Sequence, residues 1–584
     1  MVKFKGCNPV WIVLILFFWF SSGGVACPEM CRTNCTESSN VHCDHAELND
    51  ISLPEVLGHI PMTAMYLDLS HNKLTTIPER TFDKFSNLIF LDLSNNNITN
   101  LEELSFHQLK NLQKLFLHHN EITRLRNKTF SDMPHLKEIR LDRNQISVME
   151  MCVFVNTPNL QIVHLQMNQI NNISGKTFWS FETVTYMDLS QNGILNIPTL
   201  TFQKLPNLET LLLNSNKISQ LLPGSFTGLM SLHKLDLSDN RLETINRAML
   251  IPLLDTVTTL ILKGNRLKRV QSSLFDNMKL LTHIDMSKNE IKELSDRMLL
   301  GASLEELDLH DNKITTISDE TFYGAKQINV IRLSKNRLAS VGFNAFHGFA
   351  NTVYMLDLKS NQITRLLDGL FSGMRFLQEL DLANNAISYI EDGVFRDLVN
   401  LKMLDLSGNN LVMLNAGMAK GLTSIRKLYL HLNPLVHFEY PDFAASHDYF
   451  DITMNLTLED VTDSSALLQW PYTAGTQLYW SRIVTCVNVK YCAYRPQPEF
   501  LAHYQTELKL ENLEPMSSYY VCVNPAFRSE KITFKQCVFI HTKEKVRNST
   551  SPTITVTEQS VSSVAMVTLN TALFLCSMLI CILL

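Results

Sequence analysis

Histidine and acidic side chains are the groups in this chain that could catalyse a reaction or hold a metal ion, and their spacing supports neither role. The 18 histidines are scattered, and His118 and His119 form the one adjacent pair. Together with Asp142 they match no familiar set of zinc ligands. The sequence also lacks a glycine-rich phosphate loop and a nucleophile elbow. We therefore predict a protein without catalytic activity, metal or cofactor.

A second group of side chains is suited to binding another protein. An aromatic, a guanidinium and an imidazole side chain recur at a spacing of 24 residues, each with a polar residue two positions later: Phe116 and His118, Arg140 and Asp142, His164 and Gln166. Aromatic and arginine side chains carry most of the energy of protein interfaces. The sequence therefore predicts a ligand-binding patch, whereas the alternative interpretation is drift at solvent-exposed positions. Two further sets of residues also differ from the aspartate that is common at such positions. They are Thr259, Ile261 and Lys263, and Val330 with Arg332.

The spacing of these residues comes from a repeat. The stretch 112–122 fits the pattern L-x-x-L-x-L-x-x-N-x-I/L, which occurs in sixteen copies with its Asn 23 to 25 residues apart, from Asn72 to Asn433. Alternation in L-x-L is typical of a strand whose leucines face a core, so Phe116 and its equivalents face outward. We expect the recurring Asn to pair with buried backbone groups. A Phe ten residues after most of these Asn residues predicts a buried aromatic spine on the opposite side.

This pattern resembles the leucine-rich repeat family over residues 62–436. The resemblance implies an α/β solenoid with parallel strands on a concave face. Its L-D-L-S default puts Asp at the middle outward position of nine repeats, which we interpret as scaffold. Residues 27–61 resemble the cysteine-rich cap that precedes such arrays in extracellular proteins. That resemblance implies the disulfide pairs Cys27–Cys35 and Cys31–Cys43.

A second domain is predicted after a connector at 437–454. The run from Leu513 to Val523 resembles the E–F corner and F strand of a fibronectin type III domain. Residues 455–543 are therefore expected to form a small all-β sandwich. The resemblance places two cysteines on its neighbouring F and G strands, and two others are close enough to close a small loop. The predicted pairs are Cys522 with Cys537 and Cys486 with Cys492.

Both ends of the chain resemble processing signals. Residues 1–26 combine Lys3 and Lys5, an apolar run and a small-residue cleavage site, which indicates a signal peptide and secretion. Secretion makes disulfides the default state of the cysteines. Residues 564–584 are apolar with no basic residue after them, and a Ser/Thr-rich stalk at 544–563 precedes them. This resembles a glycosylphosphatidylinositol (GPI) signal, with attachment at Ser560 or next Ser562. A tail-less membrane span is the alternative, because 21 residues can cross a bilayer.

These observations predict a cell-surface protein that binds an extracellular or cell-surface protein, a second copy of itself included. A formal net charge of −6 argues against a nucleic-acid partner. The organisation resembles that of connectin- and chaoptin-type adhesion proteins, although the fibronectin-like domain is a departure from both. An innate-immunity receptor for microbial molecules and a matrix-organising protein are the alternatives. Six sequons are predicted glycosylation sites: Asn34, Asn97, Asn127, Asn172, Asn455 and Asn548.

Overall fold

The computed structural model describes Cys31, residues 39–151 and residues 153–435, and from residue 437 onward the backbone of separate strands. One parallel sheet of 19 strands connects the described repeats. Its strands in spatial order are Asn40–His42, Tyr66–Asp68, Phe90–Asp92, Lys114–Phe116, Glu138–Arg140, Ile162–His164, Tyr186–Asp188, Thr210–Leu212, Lys234–Asp236, Thr259–Ile261, His283–Asp285, Ser303–Asp308, Gln327–Arg332, Met355–Asp357, Glu379–Asp381, Met403–Asp405, Lys427–Tyr429, Phe450–Thr453 and Ile532–Thr533. The predicted parallel solenoid is confirmed.

A second, narrower row of paired strands follows the sheet along its edge. These strands are Thr76–Ile77, Asn100–Leu101, Arg124–Leu125, Val148–Met149, Asn196–Ile197, Gln220–Leu221, Arg269–Val270, Glu293–Leu294, Thr316–Ile317, Ser340–Val341, Arg365–Leu366, Tyr389–Ile390, Met413–Leu414, His437–Glu439 and Tyr472–Ala474. Each one pairs in parallel with a neighbour from an adjacent turn of the chain.

The side opposite the sheet is built of turns rather than helices. Phe82, Phe85 and Leu88 are buried at a spacing of three residues, and the amide of each later residue donates to the carbonyl of the earlier one, at 3.0 and 3.1 Å. This spacing suits successive i→i+3 turns rather than α-helix. The expected α/β class is therefore corrected to a β-solenoid. The described helices are short: α-helices Leu53–His59 and Arg247–Leu250, and 3₁₀ turns Ile251–Leu253, His347–Phe349 and Ala416–Ala419.

The recurring Asn forms the ladder that the repeat predicts. Asn192 is buried, and its Oδ1 accepts a hydrogen bond from the amide of Ile170 at 3.0 Å. Its Nδ2 donates to the carbonyls of Leu165 at 3.0 Å and Leu189 at 3.1 Å. The Oδ1 atoms of all sixteen ladder residues accept a backbone amide in this way. The ladder thus satisfies buried backbone groups along the described array.

The aromatic spine is also present. Phe82 and Phe106 stack with ring centroids 6.0 Å apart, and Phe202 and Phe226 stack at 6.4 Å. Buried leucines, Leu250 and Leu299, occupy the same position in two repeats. Because no repeat buries its apolar face alone, this stacking is what makes the array one core.

The front of the array is closed by the first strand and the helix Leu53–His59. Asn40–His42 pairs in parallel with Tyr66–Asp68, and Cys31 is joined to Cys43 by a disulfide. This is one of the two pairs that the family resemblance implies. Cys27 and Cys35 of the other pair lie outside the described residues.

Beyond residue 435, backbone strands continue both the parallel sheet and the narrower row of strands along its edge. Phe450–Thr453 pairs with Lys427–Tyr429 in the sheet, and His437–Glu439 pairs with Met413–Leu414 on its edge. Both strands come from the predicted connector. Further along the chain the pairing becomes antiparallel in five pairs: Thr457–Glu459 with Ala466–Gln469, Ala466–Gln469 with Glu507–Leu510, Tyr479–Trp480 with Pro525–Ala526, Thr485–Cys486 with Cys492–Ala493, and Ser518–Val523 with Gln536–His541. The sandwich itself stays a prediction.

Candidate functional site

The default residue at the middle outward position of each sheet strand has a structural task. In Asp68, for example, Oδ1 accepts a hydrogen bond from the amide of Ser70 at 2.9 Å. The same bond to the amide two residues later is made by all nine aspartates at this position: Asp68, Asp92, Asp188, Asp236, Asp285, Asp308, Asp357, Asp381 and Asp405. The aspartate stripe therefore satisfies backbone amides just past the strands, in agreement with its interpretation as scaffold.

This structural role has an electrostatic cost that can be measured. Burial raises the pKa of Asp381 to about 6, and the neighbouring carboxylates of Asp405 and Asp357 add to the rise. Replacing Asp381 with asparagine keeps an acceptor for the amide of Ala383, which lies 2.9 Å away. The folded pKa is above the unfolded one, so the native state takes up a proton as pH falls below about 6, and the cost shrinks until the unfolded carboxyl, with its ordinary pKa near 4, is protonated as well. We expect Asp381→Asn to raise the free energy of unfolding by about 1 to 2 kcal/mol at pH 7.5. Guanidinium unfolding at pH 7.5 and pH 4 tests this, and an equal gain at both values would contradict it.

Three successive repeats carry a different residue in place of the aspartate at the middle outward position. The parallel register places Phe116 directly beside Arg140, and Arg140 directly beside His164. Neighbouring strands lie about 5 Å apart, so the three side chains share one continuous part of the sheet face. Together with the residues two positions after them, they form a group that we call the recognition patch: Phe116, His118, Arg140, Asp142, His164 and Gln166.

Arg140 is held in place from two sides. Its guanidinium carbon lies 5.0 Å from the ring centroid of Phe116, and its Nε donates to Glu138 Oε1 at 3.1 Å. Glu138 is buried and also pairs with Lys114 Nζ at 2.9 Å. Burial alone would raise the pKa of Glu138, but the hydrogen bonds from Lys114 and Arg140 outweigh it and lower that pKa. One carboxylate thus serves two cations and orients the guanidinium over the ring.

Three other polar atoms of the patch have no hydrogen-bond partner in the described part of the chain. His118 Nδ1, His164 Nδ1 and Gln166 Oε1 are buried atoms that find no hydrogen-bond partner among the described residues. Burial lowers the pKa of His164, and the nearby Arg140 lowers it further. Burial also lowers the pKa of His118, although Asp142 and Asp92 oppose this shift. Both imidazoles are therefore neutral at neutral pH and can accept a hydrogen bond from a bound molecule.

The structure extends the patch to aromatic residues that the sequence analysis missed. Phe90 meets Phe116 edge-on with ring centroids 4.9 Å apart, and Tyr66 stacks on Phe90 at 4.3 Å. On the other side, Tyr186 lies 5.3 Å from His164. Tyr66, Phe90 and Tyr186 occupy the first outward position of their strands, whereas the departures from aspartate mark only the middle position. A scan of all three outward positions would have found them.

The other two sets of residues that differ from the usual aspartate lack the composition of the recognition patch. At Arg332 the guanidinium forms an ion pair with Glu306 on the neighbouring strand, so this cation has its own carboxylate. Val330 is buried, with 6% of its surface exposed. Thr259, Ile261 and Lys263 are half-buried, and no aromatic residue accompanies them. Neither set combines aromatic and cationic groups as the recognition patch does.

The remaining predicted sites are placed as follows. Asn97, Asn127 and Asn172 are exposed, as a glycosylated Asn must be. Backbone pairing sets Cys522 opposite Cys537 and Cys486 opposite Cys492. Asn34, Asn455, Asn548 and Ser560 lie outside the described residues.

The one described set of three side chains with metal-binding spacing is His42, Asp44 and Asp68, which does not include His118, His119 or Asp142. No described helix has both the length and the apolar composition needed to cross a bilayer.

Comparison with known proteins agrees with the fold. The profile of the family described as Leucine rich repeat matches residues 64–98, 90–146, 134–194, 182–242, 255–314, 302–355, 351–411 and 377–435. Leucine-rich repeat-containing protein 3B of Homo sapiens and that of Mus musculus are each 36% identical over 69 residues, which is 12% of this chain and 27% of theirs. The match thus spans about a quarter of those relatives. A glycosylated Toll–Spatzle complex of Drosophila aligns with a TM-score of 0.51 at 20% identity, over 66% of this chain and 57% of that one. Because the family profile covers well over half of the residues, the chain belongs to the leucine-rich repeat family.

Proposed function

We propose that this chain is a cell-surface recognition protein that binds an extracellular protein through the recognition patch. The observation that carries the proposal is the replacement, in three adjacent repeats, of the structural aspartate by Phe116, Arg140 and His164. Each replacement gives up a side-chain acceptor for a backbone amide. What the chain gains is an aromatic and guanidinium surface, which is the composition that dominates interface energies.

The state of the patch supports a protein ligand. Arg140 is held over Phe116 before any partner arrives, so little side-chain entropy is lost when it binds. Burial lowers the pKa of His118 and of His164, so each neutral imidazole can accept one hydrogen bond from a donor on the partner. Sixteen repeat strands at about 5 Å make a face of roughly 75 Å, which suits a macromolecule better than a small molecule. The proposal assigns the chain no catalytic step.

Secretion and membrane attachment belong to the same proposal. Residues 1–26 are removed as a signal peptide, and residues 564–584 direct GPI attachment at Ser560, with Ser562 as the next candidate. The Ser/Thr-rich segment 544–563, which precedes the apolar stretch and offers small residues for cleavage, supports this proposal. Phosphoinositide-specific phospholipase C should release the chain from the surface of expressing cells. Retention on the treated cells would instead support a membrane span.

Covalent features of the proposed ectodomain follow from the same compartment. Disulfides Cys27–Cys35, Cys486–Cys492 and Cys522–Cys537 join the pair seen at Cys31. Directly opposite residues in antiparallel strands are about 4.5 to 5.5 Å apart at Cα, within the range that a disulfide spans, which supports the last two pairs. We propose glycans on all six sequons, and residues 455–543 as a fibronectin type III-like domain.

The patch is tested by replacing Phe116, Arg140 and His164 together with aspartate. Because these positions face outward, secretion should be unchanged. Binding to the partner identified from a panel of cell-surface proteins, or aggregation of expressing cells if the partner is a second copy, should fall about 100-fold. Surface binding to expressing cells, measured by flow cytometry over a range of partner concentrations, gives the affinities.

The matched control places the same three aspartates elsewhere on the same sheet face, at Thr259, Ile261 and Lys263. Binding should survive in this variant. If the patch variant binds as tightly as the unaltered chain, the proposed site is wrong. If both variants lose binding equally, negative charge on the face is responsible and the patch has no special role.

A further inference from the structure

A second group of side chains lies at the N-terminal end of the sheet, outside the recognition patch. His42 ends the cap strand and stands in register with Asp68 of the first repeat. Asp44 follows two residues after His42, with the fully buried Cys43 between them. Asp44 lies in the turn that follows the cap strand, and its carboxylate approaches His42 and Asp68, so three potential metal ligands meet at this end of the sheet. The disulfide between Cys43 and Cys31 fixes the backbone that carries two of them.

The distances between these groups are short. One donor atom from each of His42, Asp44 and Asp68 lies within 4.8 Å of the others, and His42 Nδ1 is 3.8 Å from Asp68 Oδ2. A zinc ion about 2.1 Å from each donor would bring them to about 3.4 Å from one another in tetrahedral geometry. Small rotations of half-buried side chains are enough to close this difference.

We propose that His42, Asp44 and Asp68 form a binding site for a zinc-like divalent cation. An imidazole nitrogen with two carboxylates suits Zn²⁺, whereas Ca²⁺ takes six to eight oxygen ligands, which this site does not offer. Three protein ligands leave a fourth position open. Since the site faces outward from the sheet, that position is filled by water or by a donor from a bound molecule.

The charge around the site supports a cation. Asp92 stands beside Asp68 in the parallel register, so a third carboxylate lies one strand spacing, about 5 Å, from Asp68. Like charges of this kind repel one another, and a bound dication would remove the repulsion. A plain ion pair between His42 and Asp68 is the competing interpretation, and it involves neither Asp44 nor a metal.

The test is a calorimetric titration of ZnCl₂ into the full chain, produced in eukaryotic cells and purified without a polyhistidine tag. One saturable site should be present in the unaltered chain and absent or weakened in His42→Gln, Asp44→Asn and Asp68→Asn. Loss of even an outer-shell partner costs a metal site roughly 10- to 100-fold in affinity, so loss of a direct ligand should cost at least about 10-fold. CaCl₂ should give no comparable site. Visible absorption of the Co²⁺-substituted chain should change in the same three variants.

Asp92→Asn is the matched control. Asp92 occupies the same strand position one repeat later, and its carboxylate accepts the amide of Ser94 at 2.8 Å as Asp68 accepts that of Ser70. It removes the same charge without removing a proposed ligand, so Zn²⁺ affinity should be retained. Unchanged thermal unfolding in the presence of a chelator shows that each variant is folded. Absence of a saturable site, equal loss in Asp92→Asn, or full affinity in Asp44→Asn would overturn the proposal.

Discussion

Replacing Phe202 with alanine is expected to lower the free energy of unfolding by about 3 to 5 kcal/mol. Phe202 is fully buried, and its ring stacks between Phe178 at 6.0 Å and Phe226 at 6.4 Å. The substitution removes the transfer energy of the ring and leaves a cavity. It also removes two aromatic contacts, each worth about 0.5 to 1.5 kcal/mol. The loss falls on both neighbouring repeats because each repeat is stabilised through its interfaces.

Guanidinium unfolding followed by circular dichroism measures this effect, and Phe202→Leu is its control. Leucine is the residue that two repeats carry at this position, as Leu250 and Leu299. It keeps most of the buried apolar volume, so it should cost clearly less than alanine. A loss below about 1 kcal/mol for alanine would mean that the turns collapse into the cavity, and the spine would then not be a stabilising element.

The sheet and the ladder could be predicted because the repeat period determines the register. Once Phe116 and Arg140 are 24 residues apart in equivalent positions, the parallel pairing that joins them follows. The turns opposite the sheet could not be predicted in the same way. There the spacing of Phe82, Phe85 and Leu88 is compatible with a short helix or with i→i+3 turns, and only the i→i+3 hydrogen bonds in the structure decide between them.

The sequence could predict which residues form the recognition patch, but it could not predict the contacts between them. Spacing alone brings the six residues of the recognition patch together. It does not show that Glu138 is shared by Lys114 and Arg140, whereas Arg332 has a carboxylate to itself. The repeat pattern could not predict the proposed metal site. His42 lies in the cap, where no period relates it to Asp68, so their pairing appears only in the structure.

Replacing Asn192 with alanine should cost about 3 kcal/mol, because its side chain is the partner of buried backbone groups rather than of solvent. The amide of Ile170 loses its acceptor, and an unsatisfied buried donor costs about 1 to 3 kcal/mol. The carbonyls of Leu165 and Leu189 each lose one bond but keep another from the ladder residue of an adjacent repeat, Asn168 or Asn216. This sharing is why the cost stays below that of three orphaned groups. Asn207→Ala is the control, since exposed Asn207 makes one bond, to Glu182 O, and should lose less than about 1 kcal/mol. Equal losses in guanidinium unfolding would show that the ladder adds nothing beyond an ordinary surface hydrogen bond.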